Sequence, residues 1–150
     1  MKLQRTFICV ASAFIAVGFA ASQAGAGGNG QCDFEIEVNA LRAGAKTVAF
    51  GPNQSTNVTA KARILKGTAP TGTVIDTTLT IDAVDGTNVI STNSTGPIRL
   101  GVGKGGKGAK LSMAIPRCTS GFIDFVATFY GVDSGNDACV GERSLRKQCK

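Results

Sequence analysis

Histidine and tryptophan are both missing from this chain of 150 residues, and tyrosine occurs once, as Tyr130. Without histidine the chain has lost the commonest general base and the commonest neutral metal ligand. Its acids stand singly, on outward strand positions or in turns, so a carboxylate pair for acid–base work would have to be brought together by the fold. These absences predict a protein that is not an enzyme and holds no cofactor or metal. The lack of tryptophan with a single tyrosine also argues against a sugar-binding face built from aromatic platforms. Long apolar runs are missing as well, except near the N-terminus.

That exception reads as a leader. Lys2 and Arg5 form a short positive region, Phe7 to Ala21 is apolar, and Ala24-Gly25-Ala26 supplies the small-x-small pattern of a signal peptidase site. The run is short and rich in Ala and Gly for a membrane span. Cleavage is expected after Ala26, with Ala24 as the neighbouring choice. Neither Cys9 nor Cys32 has a lipoprotein setting, so the product should be free, either secreted or periplasmic. Of the 16 Lys and Arg, Lys2 and Arg5 go with the leader; fourteen then stand against 10 Asp and Glu, a mild net charge of +4. Residues 27–31 read as a flexible start, and 32–150 as one domain of a size that can bury a core.

Four cysteines remain once Cys9 has gone: Cys32, Cys118, Cys139 and Cys149. An even count in an exported chain indicates two disulfides, with three possible pairings. A zinc site would need close ligand pairs and usually histidine.

The mature sequence alternates. Ile123, Phe125, Ala127 and Phe129 form one apolar face of the densest aromatic and β-branched run, Ser120–Gly131, while Asp124, Val126, Thr128 and Tyr130 form the other. A period of two with one fully apolar face predicts a strand on a core. Phe34, Ile36 and Val38 alternate in the same way, as do Val58, Ala60, Ala62 and Ile64, then Leu79, Ile81 and Ala83, and finally Leu111, Met113 and Ile115. A short strand is expected at Thr47–Phe50. Asp85-Gly86 signals a tight turn, and Ser94-Thr-Gly-Pro97 a break. Asp133–Asp137 should reverse the chain. Helical spacing never lasts beyond a turn.

Short strands with turn signals every eight to twelve residues or so predict an all-β fold, a sandwich or barrel of about seven to nine antiparallel strands. Asn57–Leu65, Thr77–Val84 and Phe122–Tyr130 fall where the second, third and sixth strands do in the immunoglobulin-like and fibronectin-type sandwiches of exported bacterial proteins, which the chain resembles. It departs from them in lacking the core tryptophan, the disulfide site of antibody domains and the tyrosine corner. A reversal about Gly135 makes antiparallel partner numbers sum to about 270, which brings Cys149 near Gly121 and so beside Cys118. The resemblance supplies the other pairing. In an immunoglobulin-like sandwich the first strand can run parallel to the last, so Cys32 and Cys139 would start at one pole. A Cys139–Cys149 bridge would instead require the final segment to fold back on itself.

Several stretches resemble chemical motifs. Gly101-Val-Gly-Lys-Gly-Gly-Lys-Gly108 has the glycine spacing of a dinucleotide loop, but Gly108 replaces the magnesium-binding hydroxyl of a phosphate loop. The following residues also read as a strand, whereas both motifs open a helix. The stretch is therefore expected to be a mobile loop, dispensable for folding, and no nucleotide is expected. Lys104, Lys107 and Lys110 on it, with Arg143, Arg146 and Lys147 in the C-terminal segment, are candidate contacts for an acidic glycan or another polyanion. Solubility and edge protection explain the same lysines and arginines. Calcium at Asp133–Asp137 or Asp82–Asn88 would lack the usual loop spacing. Asn53, Asn57 and Asn93 begin glycosylation patterns that a bacterial chain, as the alanine-rich leader suggests, would leave bare.

Two function classes remain. One is a secreted structural or protein-interaction module with a protein or cell-surface partner. The alternative is a carbohydrate or polyanion binder using the Gly/Lys loop and the basic C-terminal strand. Mass spectrometry of the exported protein should find an N-terminus near Gly27, and circular dichroism should show β-structure with little helix. Recovery of the protein with its leader intact would contradict export.

Overall fold

In the computed structural model, residues 32–65 and 69–150 are described. The leader, its cleavage site and the 27–31 start lie outside the described residues. The alternating runs become eight strands: β1 (Glu35–Ala43), β2 (Thr47–Val48), β3 (Ser55–Leu65), β4 (Val74–Asp85), β5 (Asn88–Gly101), β6 (Lys107–Ala114), β7 (Phe122–Val132) and β8 (Ala138–Cys149). They form two sheets, ordered β1-β3-β6 and β2-β8-β7-β4-β5. All pairings are antiparallel except that of β2 with β8. The protein is thus all-β, and no helix occurs among the described residues.

The apolar face of each alternating run turns inward. Ile123, Phe125, Ala127 and Phe129 of β7 are fully buried, as are Val58, Ala60 and Ala62 of β3 and Leu79, Ile81 and Ala83 of β4. Met113 and Ile115 seal the core from the end of β6. Alternation in β1 falters between Val38 and Ala40, where the register shifts, and the shift turns Leu41 inward.

The cysteines pair as Cys32–Cys139 and Cys118–Cys149, with Cα separations of 5.7 and 6.5 Å. Every β7–β8 pair has residue numbers adding to 270, from Phe122 with Gln148 to Val132 with Ala138. The hairpin carries no bulge, and Cys149 N–H donates to the Gly121 carbonyl at 3.0 Å, which sets it beside Cys118.

Three expectations need correction. The second strand stops at Val48, and Phe50 is 45% exposed. The Val48 carbonyl accepts Lys150 N–H at 2.9 Å where β8 ends, and the next backbone bond, Gly51 N–H to Ile115 at 2.9 Å, turns away to another segment. Ser94–Pro97 does not break the chain, because β5 runs unbroken through a cis Gly96–Pro97 bond. β5 lies at a sheet edge, and the β4 register shifts opposite, between Thr77 and Leu79. Proline, with no N–H to give, is tolerated in such a place.

The Gly101–Gly108 segment is the third. Val102 is fully buried and bridges Ile64 in parallel register. Its N–H donates to the Thr73 carbonyl at 2.9 Å, and Gly103 N–H donates to Ile64 at 3.3 Å. Lys107 and Gly108 already belong to β6, so only Gly103–Gly106 is a turn. A Cβ on Gly108 would overlap the Ala60 carbonyl, so this glycine permits two strands to approach. Glycine-rich composition read as looseness; in three dimensions it is close packing.

It follows that replacing Gly101–Gly108 with a short turn should destabilise the protein. Val102→Ala is expected to cost about 1–3 kcal/mol, and Gly108→Val to prevent native folding. Urea unfolding followed by circular dichroism measures both, and wild-type midpoints would restore the dispensable loop.

Candidate binding surfaces at the two poles

The six cations expected to contact a polyanion do not form one surface. Lys104, Lys107 and Lys110 lie in the β5–β6 turn and on β6, at one edge of the three-stranded sheet, which packs beside β5. Arg143, Arg146 and Lys147 lie on β8, beside β1 on the other flank. Alternation divides the second group again. Arg143 and Lys147 pair with Ala127 and Ile123 of the inward face, whereas Arg146 pairs with outward Asp124.

Local bonds occupy two of them. Arg146 grips Asp124 through Nε at 2.8 Å and Nη2 at 2.7 Å, and its guanidinium lies 5.8 Å from the centre of the Phe122 ring. Hydrogen bonding to Asp124 raises its pKa further. Arg143 Nη1 donates to the Val38 carbonyl at 3.3 Å, tying β8 to β1 across the sheets. On the outer face of the three-stranded sheet Lys110 stands in one row with Thr59 and Arg42, a grouping that sequence adjacency does not reveal.

Each end of β7 is closed by a disulfide and a carboxylate that receives backbone N–H groups. At the far end of β7, beside Cys32–Cys139, Asp133 accepts Asp137 N–H at 2.7 Å and Asp33 N–H at 3.1 Å. The first of these bonds holds its carboxyl below the usual range, against the opposing effect of burial. At the near end, beside Cys118–Cys149, buried Asp85 accepts the Thr119 N–H at 2.8 Å, the Thr119 hydroxyl at 2.7 Å and the Ser120 N–H at 2.9 Å. Those bonds, the Thr119 N–H foremost, hold its carboxyl far below the ordinary range. Gly86, with φ +65°, turns the β4–β5 hairpin next to it.

These contacts account for the acidic clusters. Cys32, Asp133 and Cys139 place their ligand atoms within 4.8 Å of one another, but the two sulfurs are bonded together and the carboxylate is engaged by N–H groups. The Asp133–Asp137 reversal is closed by Asp133 N–H to Asp137 at 3.0 Å, with Asn136 left-handed at φ 65°. Asp82 accepts the Thr92 hydroxyl at 2.6 Å.

A groove of about 890 Å³ opens at the Cys32–Cys139 pole. Tyr130, Val74 and Val132 line it, along with Pro70, Asp76 and Asp133. Tyr130 is 45% exposed and Val74 50%, on outward positions where neighbouring strand residues are mostly hydroxylated or charged. Asp76 holds Arg99 at 3.4 Å on its outer side. Sequence reasoning did not mark this site. The available signal was a valine or tyrosine at outward strand positions near chain reversals.

The two low carboxyl pKa values give the protein an acid-sensitive stability. Both carboxylates are held charged in the fold, so their contribution is complete above about pH 4 and is lost as pH falls toward the folded-state values. Asp85→Asn should lower the urea midpoint at pH 7 and lose less than wild type on acidification to pH 3. Parallel pH profiles of the two proteins would contradict this role for Asp85. Against known protein families and characterised proteins, the chain matches none.

Proposed function

We propose that the protein is an exported protein-interaction module, built as an immunoglobulin-like sandwich, that binds an extended segment of a partner in the Tyr130 groove. The sheet order supports the sandwich reading. The sheets β1-β3-β6 and β2-β8-β7-β4-β5 enclose one common core, and the chain after β1 crosses over so that β2 joins the last strand in parallel. Two disulfides indicate an oxidising periplasmic or extracellular setting.

The observation that carries the function is the gathering of exposed apolar side chains in one groove. Single exposed valines need no explanation, whereas a concave cluster with an aromatic and converging polar groups is the usual form of a binding site. Among the described residues its lining holds Asp33, Asp76 and Asp133 but no Lys or Arg, although the chain as a whole is basic. An extended peptide with an apolar anchor and a neighbouring Lys or Arg fits this lining. The protein acts by binding, without catalysis.

The test compares baits. Mature protein incubated with the extracellular fraction should retain a protein partner. Tyr130→Ala should reduce retention about tenfold or more with unchanged melting temperature, while Lys104→Gln should not. Equal retention by the Tyr130→Ala bait would reject the groove.

A further inference from the structure

The opposite pole, around Cys118–Cys149, has a different chemistry. Three segments meet there. Lys150 N–H donates to the Val48 carbonyl at 2.9 Å, Gly51 N–H donates to Ile115 at 2.9 Å, and the disulfide joins the residue after Arg117 to the residue before Lys150. Parallel pairing of Thr47 with Gln148 puts Lys46 next to Lys147. Thus Lys46, Arg117, Lys147 and Lys150 converge from three distant parts of the chain. Residues 44–51, 115–122 and 147–150 contain no Asp or Glu. The neighbouring carboxylates are spent, Asp85 on Thr119 and Ser120, and Asp124 on Arg146.

The same pole carries two exposed phenylalanines. Phe50, 45% exposed, follows β2, and Phe122, 44% exposed, opens β7. β8 lies between β2 and β7, with Thr47 and Phe122 on either side of Gln148, and Phe50 follows shortly after Thr47. A soluble polyanion would satisfy the cations but would leave both rings in water. A surface with phosphate outside and hydrocarbon beneath satisfies both.

We infer that this pole docks on an anionic phospholipid bilayer, with Lys46, Arg117, Lys147 and Lys150 on lipid phosphates and Phe50 and Phe122 entering the headgroup–acyl boundary. β7 spans the distance between the poles, so docking would direct the Tyr130 groove away from the lipid. The inference does not depend on the groove having a partner.

Co-sedimentation with vesicles tests it, using exported protein from which the leader is absent by mass. Vesicles of phosphatidylcholine with one quarter phosphatidylglycerol should bind the protein, pure phosphatidylcholine should not, and added salt should weaken binding. Changing the four cations to glutamine should raise the half-saturating lipid concentration about tenfold or more. Phe50→Ser with Phe122→Ser should raise it severalfold at constant charge, and Tyr130→Ala should leave it unchanged. Lys46→Gln and Phe50→Ser lie outside the strands and serve if the larger variants fail to fold. No binding to the anionic vesicles, equal binding to neutral ones, or heparin or single-stranded DNA competing fully while the phenylalanine variants bind as wild type would each overturn the inference.

Discussion

All 11 residues of β7 pair with β8, and none is skipped. The hairpin has two sides with no chemistry in common: one carries Ile123, Phe125, Ala127 and Phe129 into the core, and the other carries Asp124 and Tyr130 to solvent. A slip of one residue would exchange those sides, exposing both phenylalanines, each worth about 3–5 kcal/mol on truncation to alanine. The same register sets Gly131 against Cys139 and brings Cys149 to Gly121. Both bridges therefore depend on it. The longer one spans 107 residues, and by chain entropy its closure contributes about 4 to 5 kcal/mol.

The ends of this hairpin are where the protein is most sharply specified. A disulfide can join strands but cannot satisfy the N–H groups left where strands stop. Asp85 and Asp133 do so, one at each end, and each stays charged because N–H groups point at it. The poles thus have their strand ends satisfied, and both present side chains that the core does not need. One presents a tyrosine and carboxylates around a concavity; the other presents phenylalanines among cations.

The glycines between β5 and β6 illustrate how composition can mislead. Gly101–Gly108 has the residues of a loop, and its lysines look like a cationic site. Yet Val102 is buried at 0% exposure and Gly108 allows β6 to approach Ala60. The lysines there share no face with Arg143 or Lys147, because they belong to a different sheet on a different flank. Charge along a sequence predicts a patch only where the strand period and the sheet order agree to assemble it.

Alternation is a property of neighbouring residues, so the sequence alone determined the buried faces of β3, β4, β6 and β7, the even set of cysteines after the expected leader and the hairpin register about Gly135. With that register came the Cys118–Cys149 bridge, since a short antiparallel return leaves the chain few other ways to go. Where unrelated strands meet is a matter of non-local packing, and that only the tertiary structure decided. It carried β5 through Pro97 at a sheet edge, bridged Val102 to Ile64, and divided the basic residues of β8 between two faces. It also assembled the two poles, each from segments too far apart in the chain for any local pattern to announce them.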